Sequence, residues 1–89
     1  MASRKALKKD INYVLGDIIG VVYDWEMENP NKDTKKSQAI VDETIDVFDE
    51  LIAKVNVRKP ENPKAHYNAI KQELEDKGRA LIDKINKLK

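Results

Sequence analysis

Apolar residues recur along this 89-residue chain at three- and four-residue spacings in three blocks, separated by two clusters rich in Asn, Pro and charged residues. At about 100° per residue the first block places Leu7, Ile11, Val14, Leu15, Ile18, Val21, Val22 and Trp25 on one broad face. It predicts a helix over about 3–28, with Ser3 as an N-cap and Asn29, Pro30 and Asn31 as the break. The second block predicts a helix over 34–55, opened by Asp33 or Thr34. Its inward face is Val41, Thr44, Ile45, Phe48, Leu51, Ile52 and Val55, with Ile40 and Val47 on one shoulder. The run Lys59, Pro60, Glu61, Asn62, Pro63 then interrupts the pattern. Asn62 is suited to cap a third helix over 63–88, and Pro63 to the first helical position, where its missing N–H costs nothing. The stripe of that helix is narrower: Tyr67, Ile70, Leu74, Gly78, Leu81, Ile85 and Leu88.

Short connections between packed helices imply antiparallel neighbours. The expected fold is therefore all-α, an antiparallel up-down-up three-helix bundle formed as a single domain over 1–89. Gly78 falls in line with Leu74 and Leu81, where a side chain would normally fill the centre. A helix crossing is the expected cause, with a bulky neighbour such as Trp25 or Phe48 pressing into the gap.

Composition narrows the function classes. The chain has no cysteine, which removes disulfides and thiolate metal sites and fits a reducing compartment. Its formal net charge of +1 supplies no global attraction to nucleic acid or acidic membranes. Basic residues precede an apolar run near the N-terminus, but Asn12 and Asp17 interrupt that run and no small-residue cleavage pattern follows. The run is also too short and polar to span a bilayer. A cytoplasmic protein without membrane contact is the expectation.

Two interior glycines, Gly16 and Gly20, stand four residues apart in the first helix. Each costs about 1 kcal/mol against alanine there. Measured from Ile18, they fall with Tyr13, Tyr23 and Met27 within about 40° of the side opposite the core. A bundle helix should leave that side to water, so the strip is a candidate partner-binding surface. Small residues one turn apart admit a close backbone, and Tyr and Met are enriched at interfaces. Its partner would be a second copy, giving a homodimer, or a helix of another protein. The plain alternative is a surface on which the glycines are tolerated.

Charge clusters give a second candidate. An up-down-up bundle gathers Arg4, Lys5, Lys8, Lys9, Lys54, Arg58, Lys59 and Lys64 at one pole, opposed nearby by Asp10 and Glu61. Of these, Arg4, Lys5, Lys8, Lys9, Arg58, Lys59 and Lys64 form an alternative anion-binding set for nucleic acid or another polyanion. No aromatic residue interleaves with them, which argues against a single-strand reader. Solvation of a frayed terminus explains the same residues.

The remaining motifs carry less. Asp10, Asp17 and Asp24 lie seven residues apart, about 10 Å along a helix, too far to share an ion. Asp42, Glu43, Asp46, Asp49 and Glu50 crowd the outer side of the second helix, and without a loop or histidine among them they read as a solvated face. His66 is the only histidine, and Ser3 and Ser37 have no recognisable partners for nucleophilic chemistry. The glycines lack the strand-to-helix context of a nucleotide-binding loop. A non-enzymatic interaction protein, with no cofactor or metal, is the expected function.

Overall fold

In a computed structural model, which describes residues 4–88, the chain forms three α-helices: α1 (Arg4–Glu28), α2 (Lys35–Val55) and α3 (Pro63–Leu88). All three pack on one another, in a rod 50 × 18 × 18 Å. The expected three-helix bundle is the observed architecture, and the helix ends fall within a residue of the punctuation. Ser3, the expected cap of α1, lies outside the described residues.

Local chemistry accounts for each end. Asn29 closes α1, its backbone N–H and its Nδ2 both donating to the Trp25 carbonyl at 3.0 and 2.8 Å. At the start of α2 it is Asp33 that acts, its Oδ1 accepting from the Lys35 N–H at 2.9 Å, whereas the Thr34 side chain makes no capping bond. Asn62 caps α3 as its type predicts, Oδ1 accepting from the Ala65 N–H at 3.2 Å, with Pro63 as the first helical residue. Lys59 turns the α2–α3 connection at a φ of 51°.

Cross-helix contacts fix the register. Lys54 meets Glu73 and Lys77 meets Glu50, so α2 and α3 run antiparallel. Ser37, at the start of α2, meets Glu26, at the end of α1, so α1 and α2 are antiparallel as well. Gly78 faces Val14 and Ile18, and Trp25 and Leu88 share one hollow, so α1 and α3 are parallel. The start of α1, the end of α2 and the start of α3 therefore share one pole.

The core is aliphatic: Leu7, Ile11, Leu15, Ile18, Val22, Ile40, Val41, Val47, Leu51, Val55, Ile70, Leu74, Leu81 and Ile85 form one cluster. Each such side chain contributes about 1.5–3 kcal/mol when fully removed from water. The burial differs from the sequence pattern in three places. Val14 and Val21, expected inside, are 38% and 45% exposed on the α3 flank of α1. In α2 the buried face is turned toward Ile40 and Val47; Ile45 is 45% exposed, and Phe48 and Ile52 are half-buried. In α1 and α2 the apolar stripe is wider than the surface two neighbours can cover.

The third difference is at the glycine in α3. No aromatic ring fills the space beside Gly78; a Cβ there would stand 3.5 Å from Val14 Cγ1 and 3.9 Å from Ile18 Cδ1. The expected helix crossing is present, but its partners are aliphatic side chains of α1, and the gap would hold a methyl group and little more.

Two polar side chains are fully buried. Thr44 returns its hydroxyl to the Ile40 carbonyl at 2.7 Å. The Ser37 hydroxyl lies 2.7 Å from Glu26 Oε2 and 2.9 Å from the Thr34 carbonyl, and Gln38 Nε2 donates to the same carboxylate at 2.9 Å. A carboxylate from the end of α1 is thereby held over the first turn of α2, where the backbone N–H groups favour negative charge. No buried side-chain nitrogen or oxygen among the described residues lacks a partner.

Candidate functional surfaces

The periodicity that buries one side of α1 leaves its opposite side bare. Tyr13 is 71% exposed, Met27 79% and Tyr23 48%, and Gly16 and Gly20 are exposed between them. Around the position a Cβ would occupy at either glycine, nothing lies within 4 Å. The five residues of the expected strip are thus brought to one open face, and no other segment of the described chain covers them. On its α2 side the strip runs into a hollow of about 230 Å³ lined by Asn12, Leu15, Gly16, Ile19, Ile45 and Phe48. Ile45 belongs to this surface; the sequence pattern had assigned it to the core.

On the other flank, α1 and α3 pack least closely of the three pairs. Between them runs an open groove of about 700 Å³. Its apolar floor is made by Val14, Leu74, Gly78 and Ile82, and Tyr13 stands at its edge. Sequence periodicity missed this groove, because Val14 and Val21 looked like core and Ile82 lay off the α3 stripe. Ile82 is 47% exposed.

The basic pole forms as the topology requires. Arg4, Lys5, Lys8 and Lys9 open α1, Arg58 and Lys59 lie in the α2–α3 connection, and Lys64 is in the first turn of α3. None of these seven joins a salt bridge with another described residue. Lys54, grouped with them on sequence grounds, is withdrawn from the pole. Its Nζ sits 2.6 Å from Glu73 Oε2 and 3.4 Å from Glu50 Oε1.

That lysine belongs to a four-member network with Glu50, Glu73 and Lys77, in which each lysine meets both carboxylates. The hydrogen bonds from Lys77 and then Lys54 hold the Glu50 carboxyl below its ordinary value. The hydrogen bond to Glu73 raises Lys54, and that to Glu50 raises Lys77. A separate pair, Lys84 with Glu43, repeats the α2–α3 link nearer the other end. These charges are structural staples on a half-exposed seam, a setting in which solvent screening keeps the contribution of each pair small.

His66 also has a structural role. Its Nε2 lies 2.8 Å from the Lys54 carbonyl. A carbonyl only accepts, so Nε2 carries the hydrogen and adds a second bond to a last-turn carbonyl of α2 that also accepts from the Val57 N–H at 3.3 Å. Its ring meets Tyr67 edge-on at 5.4 Å. Among the described residues no group of three or more His, Asp or Glu side chains converges as metal ligands would, and no described helix is long and apolar enough to cross a membrane.

Comparison with known proteins gives no matching family model, no matching curated protein and no matching solved structure.

Proposed function

We propose that this chain is a small non-enzymatic interaction protein whose contact surface is the outer face of α1. The observation that carries the reading is a contrast among its three glycines. Gly78 is buried against Val14 and Ile18 of its own chain, whereas Gly16 and Gly20 meet nothing within 4 Å. Their cost to the helix, about 1 kcal/mol each, has no return inside the monomer. A backbone packed from outside supplies one: over two glycines a second helix can approach closely, with the rings of Tyr13 and Tyr23 and the Met27 side chain closing around it. The occupant is a second copy, giving a homodimer, or a helix of another protein.

Light-scattering mass across a protein concentration series tests the homodimer. Replacing Gly16 and Gly20 with leucine is expected to abolish association while leaving the far-UV circular dichroism unchanged. Association that persists in this double variant removes the glycine face from the proposal.

A second reading is supported by the seven unpaired cations at the pole. They would retain nucleic acid or another polyanion through phosphate contacts, and such binding falls steeply with salt, whereas apolar helix pairing withstands it. Reversing Lys5, Lys8, Arg58 and Lys59 to glutamate is expected to lose retention on a double-stranded oligonucleotide and to leave helix pairing intact. Equal retention by the variant ends this reading.

A further inference from the structure

The groove between α1 and α3 adjoins the outer face of α1 at Tyr13, and its two walls carry opposite net charge. On the α1 side Asp10 lines the groove, and Asp17 and Asp24 continue from it at seven-residue spacing, every two turns along the same flank of the helix. On the α3 wall stand Lys71 and Arg79, with Glu75 between them. None of these six side chains forms a salt bridge with another described residue. Between the walls, Val14 and Ile82 are each more than a third exposed, and so is Val21, two turns beyond Val14 on the same side of α1. Gly78, buried against Val14 and Ile18, brings the α3 backbone to the floor.

We infer that this groove receives an amphipathic helix from another protein, one that bears Lys or Arg along one flank and Asp or Glu along the other. A helix completes the layer, because ridges of its side chains can enter the trough between Val14 and Ile82 as in ordinary helix packing. The acidic row extends from Asp10 to Asp24, about 21 Å at 1.5 Å per residue, so four turns of helix engage it fully. The basic flank of the ligand lies along α1 and its acidic flank along α3.

Charge also decides against a second copy of this chain in the groove. A face-to-face two-fold pair with antiparallel bundles lays α1 on α1, setting Asp17 against Asp17 and Asp10 against Asp24. The parallel pair lays α1 on α3 but stacks the two basic poles at the same end. A foreign helix meets neither repulsion. Reversing the ligand helix end for end exchanges its flanks, so the charged walls fix the direction in which it lies.

Designed peptides provide the test. One 18-residue helical peptide carries a leucine face with Lys confined to one flank and Glu to the other. A second has the same composition with Lys and Glu alternating on both flanks. The segregated peptide is expected to bind about tenfold more tightly, and to shift the methyl NMR signals of Val14, Val21 and Ile82. Asp10→Lys/Asp17→Lys is expected to abolish that preference, while Gly16→Leu/Gly20→Leu leaves it intact. Equal affinity of the two peptides, absence of binding at millimolar peptide, or shifts confined to the Gly16 and Gly20 amides would overturn the inference. Methyl shifts of the same residues on raising protein concentration alone would overturn it too, by naming a second copy as occupant.

Discussion

Replacing Gly16 and Gly20 together with alanine separates the cost of these residues from their use. Both are interior to a 25-residue helix, and the space a Cβ would enter is empty to 4 Å at each. No steric term opposes the change, so only the conformational one remains. Alanine is better than glycine by about 0.5–1 kcal/mol per site in such a position, which makes the pair worth about 1–2 kcal/mol to the isolated chain. For a domain of this size that is a rise in Tm of roughly 4–16 °C, or about 1–2 M in the urea midpoint at an m value near 1 kcal/mol per M. Unfolding followed by far-UV circular dichroism and by fluorescence of Trp25, which is buried, measures it at low micromolar protein, where any weak partner has dissociated. A midpoint that stays still or falls at the lowest protein concentration would refute the reasoning, because it would mean that something already occupies the space above the glycines. The same variant is expected to associate less well than the parent, since each methyl holds an incoming backbone away.

Three further outcomes follow from the packing. Ser37→Ala removes a buried hydroxyl bonded to the Glu26 carboxylate and is expected to cost about 1–2 kcal/mol, read from the urea midpoint; no loss would mean that the link between α1 and α2 is incidental. Gly78→Ala is expected to be tolerated, since its methyl arrives at ordinary contact distance from Val14 and Ile18, whereas Gly78→Leu should lose about 1–3 kcal/mol by overpacking the α1–α3 contact; equal stability of the two variants would refute that contact. Stability should also depend on pH through the α2–α3 network. Glu50 is lowered from 4.5 in the folded chain, so its contribution is present above about 4.5 and disappears as pH falls through the folded value. Lys54 and Lys77 are raised from 10.5, so theirs are present below about 10.5 and disappear as pH rises beyond the folded values. Glu50→Gln should therefore flatten the acid limb of a urea-midpoint profile taken from pH 7 to pH 3, and an unchanged limb would remove Glu50 as its source.

Helix number, order and ends were legible because they rest on local chemistry. Asn62 and Pro63 start a helix by bonding within their own turn, and the Asn29, Pro30, Asn31 cluster ends one the same way. The bare strip at Tyr13, Gly16, Gly20, Tyr23 and Met27 was legible too, as the direct complement of the core stripe. The flanks of the stripes were not. Whether Val14, Val21 and Ile45 are covered depends on the angle at which two other helices approach, and periodicity within one helix holds no record of that angle. Ser37 failed for a related reason: its hydroxyl is buried only because Glu26, eleven residues earlier, arrives to accept from it. The α1–α3 groove inherits both difficulties, since it exists only where two helices leave a gap.

Every salt bridge among the described residues lies within the α2–α3 hairpin, and α1 is seated by its aliphatic side and by the single knot at Glu26. Ionic strength and temperature therefore act unequally on the helices. Added electrolyte screens the hairpin seam and leaves the seat of α1 alone, while cooling weakens the apolar contacts of all three helices and only the hairpin has salt bridges to offset the loss. The helix that presents both outward surfaces is the one that loosens in the cold and holds in brine.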